Sequence, residues 1–216
     1  MSVESSVVTR EHFRYLAERT VPEDDFLRDL KEAASRAGIP GISISPEQAS
    51  FMQILLRLMG ARTVLEIGTL AGYSAIAMAR VLPPDGQVQT IERSGPHADF
   101  AEEWIAKSDV RDRVKVLRGQ AREVLPKLGD GWADAAFVDA DKANYPFYLE
   151  QCLRIVRDGG LVMVDNAFAF GQLLDDHPSD PAVGDVRAFN ELMARQTGLH
   201  SIIVPLGDGC WVGVKC

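Results

Sequence analysis

From Thr63 onward the chain alternates short apolar runs with stretches of helical spacing, and no other feature narrows its possible folds so far. The runs are TVLEIG, QVQTIE, RVKVLRG, ADAAFVDA and GLVMVD; helical patterns occupy Ser74 to Val81, Ala98 to Lys107, Ala121 to Leu128 and Tyr145 to Val156 between them. Five strands are expected from the runs. Strands separated by helices pair in parallel through right-handed crossovers, which makes this an α/β chain with a parallel sheet. A polar loop from His177 to Asp185 and a helix near Val186 to Gln196 follow. The last two runs, HSIIVPL and CWVGVK, flank Gly207, Asp208 and Gly209 and read as a hairpin.

Ahead of the alternation, residues 1–60 read as a helical extension. Apolar spacing at Phe26, Leu27 and Leu30 after Pro22 gives one helix, and Phe51, Ile54, Leu55 and Leu58 give a second with Pro46 in its first turn. Gly38 to Ser45 is a loop between them, placed to act as a lid. The 216 residues fit one domain with this extension, and 46% apolar against 25% charged residues is an ordinary globular balance.

A net charge of -8 would repel a phosphate backbone, so nucleic acid is excluded as a partner. Nowhere do eighteen apolar residues run together, so no membrane partner is expected. MSVESSVVTREHFRYL lacks the apolar core of a signal peptide, and Cys152, Cys210 and Cys216 lack metal-ligand spacing. A reducing, cytoplasmic location is the expectation.

In doubly wound sheets, ligands sit beyond the carboxyl ends of the strands. The first strand ends in Glu66-Ile67-Gly68-Thr69-Leu70-Ala71-Gly72, where Gly68 and Gly72 permit a tight turn and a close ligand approach. Their spacing is not the G-x-G-x-x-G that seats a pyrophosphate. Glu92, ending the second strand, suits the hydroxyls of a ribose. A nicotinamide cofactor also carries a ribose, but the third glycine is missing. No tyrosine is followed four residues later by the lysine of short-chain dehydrogenases. S-adenosylmethionine (SAM) fits better.

The fourth and fifth strands end in Val138-Asp139-Ala140-Asp141-Lys142 and Val164-Asp165-Asn166. Asp139, Asp165 and Asn166 together offer two carboxylates and an amide oxygen, a hard donor set suited to Mg²⁺, with Mn²⁺ or Ca²⁺ as alternatives. Each aspartate alone could equally cap a turn. Clustering with Asp141 favours a cation, since uncompensated like charges in one crevice are costly. Such an ion would bind a vicinal diol and ionise a phenol whose pKa is ordinarily ~10. Lys142 is then the candidate base, and Lys142 and Asp139 the candidate catalytic pair.

At this point the residues resemble the cation-dependent family of catechol and caffeoyl-coenzyme A O-methyltransferases. SPEQASF, VLEIGTLAGYSAIAMA, FVDADKANY, GGLVMVDN and GDGCWVGVK carry the likeness, from about Ser45 to the C-terminus. The resemblance implies a Rossmann-like, mostly parallel seven-stranded sheet with helices on both faces and an antiparallel last strand. It implies metal binding by Asp139, Asp165 and Asn166, with Lys142 as base. Cofactor contacts are implied for Glu66, Gly68, Thr69, Ser74, Glu92, Ala121 and Asp141, and pairing of two chains as a homodimer. The acceptor expected is a catechol-like small molecule, or another oxygen-chelating natural-product intermediate; a non-catalytic ligand binder is the reading from another class. Departures fall where the acceptor should be chosen. Ala167-Phe168-Ala169-Phe170 stands where plant members resemble Thr-Leu-Trp-Asn, and Ile44 where many relatives have threonine. Phe168, Phe170, Tyr145 and Tyr148 are candidates for the pocket wall or for plain core.

Overall fold

The computed structural model describes residues 7–216; the first six residues of the segment read above for a leader lie outside it. Three helices precede the sheet: α1 (Arg10–Ala17), α2 (Asp25–Arg36) and α3 (Pro46–Leu58). Asp24 caps α2 by accepting from Leu27 N at 3.0 Å, and Ser45 caps α3 by accepting from Gln48 N at 3.2 Å. Both satisfy an amide that the first helical turn leaves without a partner. Helix α2 buries Leu27 and Leu30 as its spacing predicts.

On α3 the buried face differs from the expected one. Gln48, Ala49, Met52 and Leu56 point inward, while Ile54 and Leu58 stand exposed. The small Ala49 lets the helix lie close against its neighbour, and Gln53 Nε2 donates to Ala77 O at 2.7 Å. Two stripes of this helix are apolar, and only the docking surface decides which one is covered.

The alternating region gives β1 (Thr63–Ile67), α4 (Tyr73–Ala79), β2 (Gln87–Glu92), α5 (Gly95–Lys107), β3 (Val114–Arg118), α6 (Ala121–Val124), β4 (Ala133–Val138), α7 (Tyr145–Ile155) and β5 (Val156–Val164). After a long loop come α8 (Val183–Ala194), β6 (Leu199–Val204) and β7 (Cys210–Lys215). Helix α6 is shorter than its pattern and passes into a 3-10 turn over Leu125–Lys127, because Pro126 offers no amide to an α-helical bond. Strand β5 begins earlier than GLVMVD suggests, at Val156, with an irregular register against β4 between Ala133 and Ala135.

The sheet runs β3, β2, β1, β4, β5, β7, β6. Strands β1 to β5 pair in parallel, and β7 lies antiparallel to both β5 and β6. The hairpin expected from HSIIVPL and CWVGVK therefore forms. Alternate strand residues feed two cores: Val64, Phe137 and Met163 pack with Leu30, Met52 and Ile76 on one face, and Leu65, Val138 and Val162 with Leu125, Leu149 and Phe189 on the other. Among the described residues no helix is long and apolar enough to cross a membrane.

Strand order reverses at β1, whose neighbours β2 and β4 carry the chain off in opposite directions. Loops leaving these strands diverge there and open a crevice.

Candidate active site

Beyond the ends of β1, β2 and β4 lies a crevice of about 590 Å³, lined by Gly68, Thr69, Ser74, Glu92, Ala121, Asp139, Asp141, Lys142 and Asn166 among others. Ile42, Ser43 and Ile44, from the loop read as a lid, form part of the wall. The volume falls in the usual range for small-molecule sites.

The floor is set by the turn after β1. Gly68 sits at φ +105°, and a Cβ there would lie 2.0 Å from the carbonyl oxygen of Asp139. Only glycine lets the ends of β1 and β4 approach so closely. Leu70, at φ +51°, donates its amide to Glu92 Oε2 at 2.9 Å, and Ser94 N donates to Glu92 Oε1 at 2.8 Å. Glu92 is thus held by two backbone amides, with acceptor capacity left on both oxygens for a diol.

Two residues expected at the cofactor do not line this crevice. Glu66 points into the core and is fully buried: Thr90 Oγ1 donates to its Oε2 at 2.5 Å, Thr69 Oγ1 lies 2.6 Å from Thr90 Oγ1, and Oε1, with the Ser74 hydroxyl nearby, makes no hydrogen bond of good geometry among the described residues. Burial pushes its carboxyl up to about 8, so it is neutral at pH 7 and ties the Thr69 turn to β2 from beneath. Gly72 faces α5 instead, where a Cβ would meet Ala101 and Ile105. Period-2 alternation decides the first outcome, since Glu66 lies within β1 and its side chain must take one face or the other. Gly72 lies past the strand at the N-cap of α4, and the docking of α5 decides what it meets.

On the far side the sheet ladder continues past its strands. Asp139 N donates to Ile67 O at 2.9 Å and Asp165 N to Val138 O at 2.9 Å, which fixes the two aspartates on neighbouring rungs. Asp139 and Asn166 reach the wall; Asp165 is one layer in, accepting from Gln48 Nε2 at 2.7 Å. Burial, and then the charge of Asp139, push the Asp165 carboxyl up to about 7. Gln48 on α3 was not singled out as a site residue. Its partner lies 117 residues away, beyond the reach of any local pattern.

Lys142 Nζ donates to Asp139 Oδ1 at 3.0 Å and to the Tyr145 hydroxyl at 2.6 Å, and Tyr145 in turn donates to Asp165 O at 3.3 Å. Asp141 Oδ1 accepts from Tyr148 OH at 2.7 Å. Tyr145 is therefore buried support for Lys142 rather than wall, while Tyr148 serves as both wall and support. Of the two phenylalanines, Phe170 lines the crevice and Phe168 packs over Gly209.

Among the described residues no three His, Cys, Asp or Glu side chains cluster as a metal site. The set assembled here instead has two carboxylates and an amide. Asn166 Nδ2 donates to Asp208 Oδ2 at 3.2 Å, and a carboxylate can only accept, so the amide oxygen is the end left free. A buried aspartate whose carboxyl is pushed up to about 7, beside the half-buried Asp139 and a free amide oxygen, fits a hard divalent cation.

The chain is similar throughout to proteins of one family. A family profile described as O-methyltransferase matches residues 17–216. A catechol O-methyltransferase of Niastella koreensis is 38% identical over 204 residues, covering 93% of this chain and 90% of the relative. Among solved structures, the O-methyltransferase from Bacillus cereus in complex with SAH is 35% identical with a TM-score of 0.83, over 94% of this chain and 96% of that one. The O-methyltransferase TomG from Streptomyces achromogenes, involved in tomaymycin synthesis and solved with SAM, is 34% identical with a TM-score of 0.82, over 94% of both chains.

Proposed function

This chain belongs to the O-methyltransferase family, and on that footing we propose that it transfers the methyl group of SAM to one hydroxyl of a catechol-like acceptor, with Asp139, Asp165 and Asn166 holding a divalent cation. The observation that carries the reading is the placement of Asp139 and Asp165 on adjacent rungs, where burial first and then the charge of Asp139 push the Asp165 carboxyl up to about 7. A cation would relieve that repulsion, and when bound it lowers the pKa of a coordinated phenol, whose ordinary value is ~10.

SAM brings the methyl already activated on a sulfonium, so the residues of the chain have positional work to do. Gly68 leaves the floor open, Glu92 offers carboxylate oxygens for ribose hydroxyls, and Thr69, Ser74, Ala121 and Asp141 complete the cofactor side. The loop at Ile42 to Ile44 lines the crevice, and closing it over bound substrates would exclude water. Lys142, held by Asp139 and Tyr145, is the group at the wall that takes up the phenolic proton. Ordering donor and acceptor in near-attack geometry contributes on the order of 7 to 11 kcal/mol.

A radiolabelled methyl-transfer assay tests this. Vicinal diols should be methylated in Mg²⁺ and not in chelator, and single-hydroxyl phenols should be poor acceptors. Lys142→Ala should lower turnover by about 10²- to 10⁴-fold while SAM affinity is kept. Equal turnover in chelator would defeat the cation. The apolar loop around Phe170 favours a second reading, a larger oxygen-chelating natural-product intermediate as acceptor. Higher kcat/KM for substituted than for bare catechols is its signature.

A further inference from the structure

Asp208, in the turn between β6 and β7, has no part in the reaction described so far. Its side chain nevertheless gathers three N–H donors from one segment. Phe170 N donates to Oδ2 at 2.7 Å, Asn166 Nδ2 to Oδ2 at 3.2 Å, and Gly171 N to Oδ1 at 3.0 Å. The backbone adds two more, Phe168 N to Asp208 O and Ala167 N to Gly209 O, both at 2.8 Å.

That segment is costly to hold. Asn166, Ala169, Phe170 and Gly171 all have left-handed backbone, at φ +63°, +52°, +60° and +76°. For an L residue with a side chain, each such conformation is sterically unfavourable and persists only when its surroundings over-determine it. Hydrogen bonds to a carboxylate are roughly twice as strong as neutral ones, which suits Asp208 to that task. Phe170 is left 42% exposed at the crevice, its ring centroid 5.9 Å from Lys142 Nζ, where a free loop would fold an apolar ring away from water.

We propose that Asp208 is a positioning residue that sets acceptor selectivity. Its carboxylate holds residues 166–171 in a left-handed turn, so that Phe170 forms the acceptor-side wall and Asn166 keeps its amide oxygen toward the crevice. The selectivity half of this rests on the methyl-transfer reading; the positioning half does not.

Asp208→Asn keeps the shape and removes one accepting oxygen, and Asp208→Ala removes both. Among the described residues the Phe170 amide has no acceptor other than Asp208, so amide exchange followed by NMR reads the clamp directly. Its protection should fall about tenfold or more in either variant, while amides of β7 keep theirs. The ratio of kcat/KM for a ring-substituted catechol to that for catechol should shift about tenfold, mainly through acceptor KM, with SAH affinity by calorimetry within about twofold. In a Phe170→Ala background, Asp208→Asn should leave that ratio unmoved, because the wall it positions is gone.

Unchanged protection at Phe170 overturns the clamp, whatever the turnover. An unchanged acceptor ratio, or a loss of SAH affinity equal to the loss of acceptor affinity, overturns the selectivity role. A wild-type enzyme inert toward every catechol defeats the methyl-transfer reading instead, and leaves the exchange result to decide whether Asp208 holds the turn.

Discussion

Glu66 shows how one side chain can serve a site without touching it. Its carboxyl stays protonated in the folded protein up to about 8, against an ordinary 4.5, because burial penalises the charge more than the Ser74 and Thr90 hydroxyls relieve it. Between those values the folded chain binds one more proton than the unfolded chain, so stability falls as pH rises through that window. Each such group contributes a slope of about 1.4 kcal/mol per pH unit. Glu66→Gln should remove that share, most clearly between pH 7 and 8, where the Asp165 carboxyl has largely given up its proton. Urea unfolding at several pH values checks this, and an unaltered slope in the variant would mean that Glu66 is ionised in the fold. The sequence placed Asp139, Asp165 and Asn166 at strand ends because apolar runs stop there abruptly. Neither Gln48 nor Asp208 could be read in the same way. Each acts on a partner far along the chain, and nothing in its neighbours marks it as buried or as a clamp.

At the scale of elements, the turn between β1 and α4 carries most of the geometry. Gly68 is there because the Asp139 carbonyl occupies the place of its Cβ. Gly68→Ala should push the β1 and β4 ends apart, lower stability by more than about 1 kcal/mol and weaken SAM binding at least as much as acceptor binding. Thermal unfolding and SAM calorimetry together check it, and a stable variant with normal SAM affinity would show that the turn relaxes freely. The strands were legible from their apolar runs and the crossovers from their alternation. Helix faces were less so. Spacing on α2 identified the buried Leu27 and Leu30, yet on α3 it chose Ile54 and Leu58, which the fold leaves in water. Amphipathic spacing identifies a stripe only when the opposite stripe is polar, and α3 has apolar residues on both.

Across the whole molecule, the reversal of strand order at β1 brings the glycine turn after β1, Glu92 and the Asp139 strand end into one crevice. The proposed cation site makes binding depend on pH: Asp165 would shed its proton to bind an ion, so Mg²⁺ affinity should rise with pH through about 7 and binding should release a proton. At saturation near 100 times Kd the ion adds about 2.7 kcal/mol, roughly 5 to 10 °C in Tm for a chain of this size. Thermal shifts at pH 6 and pH 8, with calorimetry in two buffers of different ionisation heat, check the linkage. A shift that is equal at both pH values would remove Asp165 from the cation site.

By itself the sequence determined the α/β class, the final hairpin, the glycine turn and the acidic strand ends, since all are local patterns of polarity and backbone permission. Tertiary structure alone decided which face each of those residues meets. It turned Glu66 and Gly72 away from the crevice, brought Gln48 onto Asp165, and set Asp208 against the loop that carries Phe170. Those outcomes depend on strand pleat, helix docking and contacts between distant segments, and a one-dimensional pattern holds no record of them until the chain has packed.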